Sequence, residues 1–150
     1  ALLHDIGKIA IPDAILLKPG PLTDDEWVIM RTHAQVGFDI IKTSPDLQGP
    51  AAIVGCHHEN WDGTGYPNKI AGEEIPLGAR IFALADAYDA MRSDRPYRSG
   101  MPSEAAASQI RQNSGTQFDP TLVDVFLNVV DEIEAIGKWE QENERAERAS

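Results

Sequence analysis

Two histidine pairs, far apart in the chain, restrict what it can fold into. The run His57-His58-Glu59-Asn60-Trp61-Asp62 leads straight into a loop with Gly63, Gly65 and Pro67, while His4-Asp5 stands near the start. Neutral imidazole binds first-row transition metals, and a carboxylate adds charge and can bridge two ions. Successive residues on a helix point about 100° apart. Adjacent ligands therefore serve different ions, or sit where a helix ends. This suits a multinuclear centre better than a structural zinc held by four Cys or His ligands. A fold that uses the pairs together must bring both to one point. The competing reading makes His57 and His58 solvated surface residues.

Charge narrows the partners. The 150 residues carry 13 basic and 24 acidic side chains, a net charge of −11. Binding to DNA, RNA or an anionic membrane needs a basic footprint, and this chain has none. A small anionic substrate stays open, because bound divalent ions would invert the local potential. No apolar run approaches the roughly 18 residues of a membrane span. One cysteine, Cys56, excludes an internal disulfide and points to the reducing cytoplasm. Beside His57, it reads more readily as a small buried hydrophobe than as a ligand.

The pattern predicts helices and no strands. Ala1 to about Gly7 reads as the end of a helix, as if cut from something longer. Ile11-Pro12-Asp13 and Lys18-Pro19-Gly20-Pro21 read as turns. Thr23-Asp24-Asp25-Glu26 is a capping box, and Trp27, Met30, Ala34, Gly37 and Ile41 recur at helical spacing to about Lys42. Gly49-Pro50 opens a short helix, Ala51 to about Glu59. Asn60 to Gly78 is a long Gly- and Pro-rich loop, and a loop of that length is functional or disordered. Leu77, Ile81, Leu84, Tyr88 and Met91 mark an apolar helix. Pro102-Ser103 caps another through about Asn113. Asp119 and Pro120 start the last. Residues 1–138 form one domain, and 139–150 a charged tail, helical or disordered.

Two further residues carry signal. Asp86 lies in a helix apolar nearly all round, which predicts burial. A buried carboxylate must be paired or hold metal, so it either bridges to Arg80 or Arg31 or is a ligand. His33 stands among Arg31, Thr32 and Gln35, and those neighbours read as surface.

Taken in order, these residues resemble a known family. His4-Asp5-Ile6-Gly7-Lys8, Leu22-Thr23 through His33, His57-His58-Glu59, Asp62-Gly63-Thr64-Gly65-Tyr66-Pro67, Asp86 through Met91, and Asp94-Arg95-Pro96-Tyr97-Arg98 resemble the HD-GYP domain, a bacterial subclass of the HD phosphohydrolases. The resemblance runs from Ala1 to about Leu127. The dipeptide His-Asp alone says little, but six motifs in order are specific. Asn60 departs from the pattern, since that position is often basic.

The resemblance implies an all-α helical bundle of the HD type with a long GYP-containing loop. It implies a metal-dependent phosphodiesterase that hydrolyses cyclic di-GMP to pGpG or GMP in bacterial signalling. By matching positions, His4, Asp5, His33, His57, His58 and Asp86 would hold two or three divalent transition-metal ions, iron or manganese. Lys8 would stand near the scissile phosphate as a catalytic group. Asp89, Arg95 and Arg98 would meet substrate. The loop with Asp62, Gly63, Gly65, Tyr66 and Pro67 would meet partner proteins, including cyclic di-GMP synthases. Family members also draw a histidine, and in trinuclear members a glutamate, from helices before the His-Asp pair, and a sensor or receiver domain often precedes them. Two alternatives stand beside this reading. One is a catalytically silent interaction module. The other is an HD hydrolase acting on another nucleotide, including another cyclic dinucleotide.

Overall fold

The structure is a computed structural model describing residues 3–94 and 99–148, with side chains inside the last helix described only in part beyond Gly137. The described residues are helical, with one isolated bridge between Ser114 and Phe118 and no strand. Six α-helices follow in order: α1 Asp13–Leu16, α2 Asp24–Ile41, α3 Gln48–Cys56, α4 Leu77–Arg92, α5 Ser103–Gln112 and α6 Pro120–Arg148.

Of the helix end expected over Ala1 to Gly7, residues 1 and 2 lie outside the described residues, and Leu3 to Gly7 form no α-helix. Leu3–Asp5 form a turn, and Ile6–Ala10 form a 3₁₀ helix. Close approach explains the difference. A Cβ at Gly7 would lie 1.9 Å from the His33 carbonyl oxygen and 2.6 Å from the Gly37 amide nitrogen. The segment thus rests its backbone directly on α2. Pro12, expected in a turn, precedes the single-turn helix α1.

The α2 start follows the expected capping box. Thr23 Oγ1 accepts from the Glu26 amide, and the Glu26 carboxylate accepts from the Thr23 amide at 2.7 Å. Three acids in its first turn suit the positive end of the helix dipole. The buried face of α2 is His33, Ala34, Gly37 and Ile41. His33 is only 2 % exposed. Its polar sequence neighbours misled because burial here is imposed by the Gly7 segment and by α3. That helix begins at Gln48, earlier than expected, since a proline is tolerated within the first turn. It ends at Cys56, so His57 and His58 stand in the turn beyond it. Cys56 is half-exposed rather than buried.

Two apolar clusters hold the helices. Ile41, Ala51 and Val54 join α2 to α3. Leu84, Tyr88, Ala106, Ile110, Phe118, Val123, Phe126 and Val130 join α4, α5 and α6. The α4 boundaries are as expected, but the helix is not buried all round. Only Ala79, Leu84 and Tyr88 are buried, while Leu77 and Ile81 are 53 % and 50 % exposed. Apolar residues on every side of a helix predict burial only if every side meets another element. Ser103 does not cap α5; its hydroxyl meets the Tyr88 hydroxyl at 2.7 Å. Asp119 does cap α6, accepting from the Thr121 amide, and its other oxygen accepts from Arg80 Nη1 at 2.6 Å. Arg80 is therefore used by Asp119, not Asp86. The α6 helix runs unbroken to Arg148.

The Gly7 contact generates a test. Gly7→Ala should destabilise the protein by roughly 2–3 kcal/mol, as overpacking against rigid backbone does. Gly137→Ala, where an added Cβ meets nothing within 4 Å, should be neutral or stabilise by up to about 1 kcal/mol. Urea unfolding followed by circular dichroism measures both, and equal behaviour would contradict the packing described.

Candidate metal centre

All four histidines converge. His4 and Asp5 come from the turn laid on α2, His33 from α2 itself, and His57 and His58 from the turn after α3. The His4 and His57 ring centroids are 5.6 Å apart, those of His33 and His57 5.5 Å, and those of His57 and His58 3.9 Å. Ring nitrogens of His33, His57 and His58 all lie within 4.8 Å of one another. Asp5 lies beside them, 3.3 Å from His4 Nε2 and 3.7 Å from His33 Nε2.

Hydrogen bonding aims these rings. His33 Nδ1 meets the Met30 carbonyl at 2.7 Å, and His57 Nδ1 meets the Val54 carbonyl at 2.7 Å. A carbonyl only accepts, so each Nδ1 carries the hydrogen and each Nε2 is left a bare lone pair in the neutral ring. Metal-binding histidines are oriented this way, donating the far N–H to a carbonyl. His57 Nε2 is buried without a hydrogen-bond partner among the described residues. His33 Nε2 faces His58 Nε2 at 3.1 Å, a contact that attracts only through a proton or a cation between the nitrogens. Burial of the His58 ring, with His57 and His33 beside it, pushes its pKa down to about 3. Burial lowers His57 likewise. Both rings are neutral at pH 7 and can offer lone pairs.

Asp5 supplies charge. Partial burial raises its pKa, but the Lys8 hydrogen bond and the charges of Lys8, His4 and His33 outweigh this, and the carboxyl sits below its ordinary value. Lys8 Nζ lies 2.6 Å from Asp5 Oδ2, so in this state the lysine is spent on the aspartate. The donor set of bare imidazole nitrogens plus an ionised carboxylate fits a divalent transition metal. His33, His57 and His58 would hold one ion, with Asp5 and His4 beside them for another.

The loop packs inward. Tyr66 stacks on His58, with centroids 4.7 Å apart and planes at 26°, and burial pushes its phenol up to about 12. Gly65 is buried because a Cβ there would lie 2.3 Å from the Asn60 nitrogen and 2.6 Å from the His58 oxygen. Asp62 and Thr64 form an exposed turn in which Asp62 Oδ1 accepts from the Thr64 amide at 2.9 Å. Gly63 adopts φ 79°, the left-handed region that glycine tolerates. Backbone bonds from Trp61 to Gln117 and from Asp62 to Thr116 tie the loop to the α5–α6 connection.

The other expected residues divide. Asp86 is partly buried and lines one cleft of about 490 Å³ with Arg31, His57, His58, Tyr66 and Lys69. It makes no ion pair among the described residues, so the salt-bridge reading loses its partner. Asp89 lies apart, in a second cleft with Arg92, Ser93 and Asp94. Arg95 and Arg98 lie outside the described residues. Sequence reasoning missed Phe82, whose ring sits 5.0 Å from His4 and 6.0 Å from His57. It also passed over Glu59, which is 3 % exposed, accepts from the Asn68 amide at 2.7 Å and leaves its other oxygen unpartnered. Phe82 stands four residues before Asp86, one helical turn away, and that spacing was the available signal.

The HD domain family profile matches residues 1–122. A cyclic di-GMP phosphodiesterase of Thermotoga maritima is 47% identical over 146 residues, covering 96% of this chain and 40% of the relative. A cyclic di-GMP phosphodiesterase response regulator of Xanthomonas campestris is 46% identical, covering 91% of this chain and 36% of that protein. A 3′3′-cGAMP-specific phosphodiesterase of Vibrio cholerae is 43% identical, covering 89% and 26%. A crystal structure of a cyclic GMP-AMP-specific phosphodiesterase from V. cholerae superposes with a TM-score of 0.64 at 24% identity, covering 87% of this chain and 36% of that one, and shows the shared fold. The chain belongs to the HD domain family, and to its HD-GYP branch. It spans less than half the length of these relatives. No helix among the described residues is long and apolar enough to cross a membrane.

Three substitutions at two positions probe the centre. His57→Ala and Asp86→Ala should each lower bound metal in the intact protein, and Asp86→Asn should do so too by removing charge while keeping shape. Elemental analysis after anaerobic purification reads this. Wild-type occupancy in Asp86→Asn would show that its charge holds no ion.

Proposed function

We propose that this chain is the catalytic part of a metal-dependent phosphodiesterase acting on a cyclic dinucleotide, with cyclic di-GMP as substrate and pGpG or GMP as product. The observation that carries it is the meeting of four histidines and Asp5, with the bare nitrogen of His57 buried and unpartnered. The identity to named cyclic di-GMP phosphodiesterases supports the substrate class.

Divalent ions bound there would polarise a phosphate and acidify water. The chain's own groups do the rest. Asp5 stays ionised beside the histidines because Lys8 holds its charge. An anion arriving at the site competes with Asp5 for Lys8, and the freed ammonium would face the charge developing on the phosphate oxygens. Phe82 and the Tyr66 ring border the histidines with apolar surface and limit water around the reacting group. The proposal takes two or three ions, iron or manganese, since imidazole and carboxylate donors suit such metals. Binding of a synthase through the Asp62–Pro67 loop would fall to its exposed turn, since Tyr66 is turned inward.

A second reading keeps the chemistry and changes the base. The 43% identity to a 3′3′-cGAMP-specific enzyme favours testing that dinucleotide beside the first. The intact protein, loaded with iron or manganese under reducing conditions, should linearise cyclic di-GMP. His58→Ala should reduce turnover by at least about 10³-fold, the scale of losing a group on which the activated nucleophile depends. Chromatography of products from both dinucleotides decides the substrate. A fully metallated protein that cleaves neither would defeat the proposal.

A further inference from the structure

The cleft beside the histidines holds two cations that form no ion pair among the described residues. Eight lysines and arginines have described side chains. Five of them form ion pairs: Lys8 with Asp5, Lys18 with Glu26, Lys42 with Asp39, Arg80 with Asp119 and Arg92 with Glu134. Arg31, Lys69 and Arg111 form none among the described residues. Two of these three, Arg31 and Lys69, line the histidine cleft. In a chain with 24 acidic residues against 13 basic ones, an unpaired cation is the less expected state.

Arg31 is also held in place. Its guanidinium carbon lies 5.4 Å from the Tyr66 ring centroid and 6.0 Å from that of Trp27, one helical turn earlier on α2. Cation–π contacts of this kind restrain the guanidinium while engaging none of its N–H donors. Tyr66 in turn stacks on His58. Arg31 therefore lies against Tyr66 and Tyr66 against His58, all three lining the same cleft. Lys69 is fixed by its backbone. The preceding amide, Asn68, donates to buried Glu59, and Lys69 itself takes φ 54°, the left-handed region that a lysine seldom adopts.

We propose that Arg31 and Lys69 form an anion-binding mouth that receives the phosphate of the substrate not being cleaved. This rests on the cyclic-dinucleotide reading above. Such a substrate carries two phosphates. With one at the histidines, the other needs a partner in the same cleft, and the planar fork of Arg31 suits a phosphate in a way a lysine does not reproduce. The GYP tyrosine then acts as the shelf that positions this arginine, besides any meeting with partner proteins.

The test compares a two-phosphate with a one-phosphate substrate in the intact, metal-loaded protein. Arg31→Ala should lower kcat/KM for the cyclic dinucleotide about tenfold more than for bis(p-nitrophenyl) phosphate, mainly through KM, as expected for one lost charge-assisted contact. Arg31→Lys should recover only part of this, and Lys69→Ala should show a smaller loss of the same kind. Metal content should match wild type throughout. An equal loss on both substrates, or loss of metal, would make Arg31 a structural support of Tyr66 and overturn the proposal. So would an unchanged KM. If the wild type cleaves bis(p-nitrophenyl) phosphate but neither cyclic dinucleotide, the function proposed above fails. Calorimetric titration with linear pGpG then decides the mouth: weaker binding by Arg31→Ala sustains it, and equal affinity overturns it.

Discussion

The backbone contact between Gly7 and α2 is the constraint on which the site depends. At this point the chain has no room for a side-chain atom, and the 3₁₀ segment lies against the carbonyl of His33 and the amide of Gly37. That contact does two things at once. It delivers His4 and Asp5 to the histidine cluster, and it buries His33, which would otherwise stand on an open helix face. The His-Asp dipeptide is thus useful only because a glycine follows two residues later.

A second close approach does the same work on the other side. Gly65 lies against the backbone of His58, Glu59 and Asn60, which folds the loop back so that Tyr66 covers His58. The buried Glu59 carboxylate clamps the far end of the turn through Asn68. Both glycines trade side-chain volume for proximity, and both sit beside candidate metal ligands. The site is therefore built by backbone packing first, with imidazole orientation set afterwards by the Met30 and Val54 carbonyls.

Features decided by near neighbours in the chain were legible in the sequence. The Thr23–Glu26 capping box, the bounds of α4 and the Asp119 cap each depend on residues within a turn or two, and the structure shows all three. Features decided by distant contacts were not. His33 reads as surface until Gly7 is laid on it. Cys56 reads as core, yet α3 ends there and its side chain is left half-exposed. Asp86 reads as fully buried, but the cleft beside the histidines leaves its side of α4 partly open. Family resemblance supplied the grouping of His4, Asp5, His33, His57 and His58 that spacing alone could not. It drew no attention to Arg31 or Phe82, whose roles come from what the fold sets beside them.

The candidate ligands are carried on unequal supports. His33, His57 and His58 stand on or just beyond helices locked by the first apolar cluster. His4 and Asp5 ride on a short segment whose main packing is against α2. Local opening follows such differences in packing. Lifting residues 3–10 would withdraw two donors together and leave the triad of imidazoles assembled. If the proposed multinuclear centre forms, the donors His4 and Asp5 would come and go independently of the imidazole triad, so the two parts of the donor set would be lost stepwise rather than all at once.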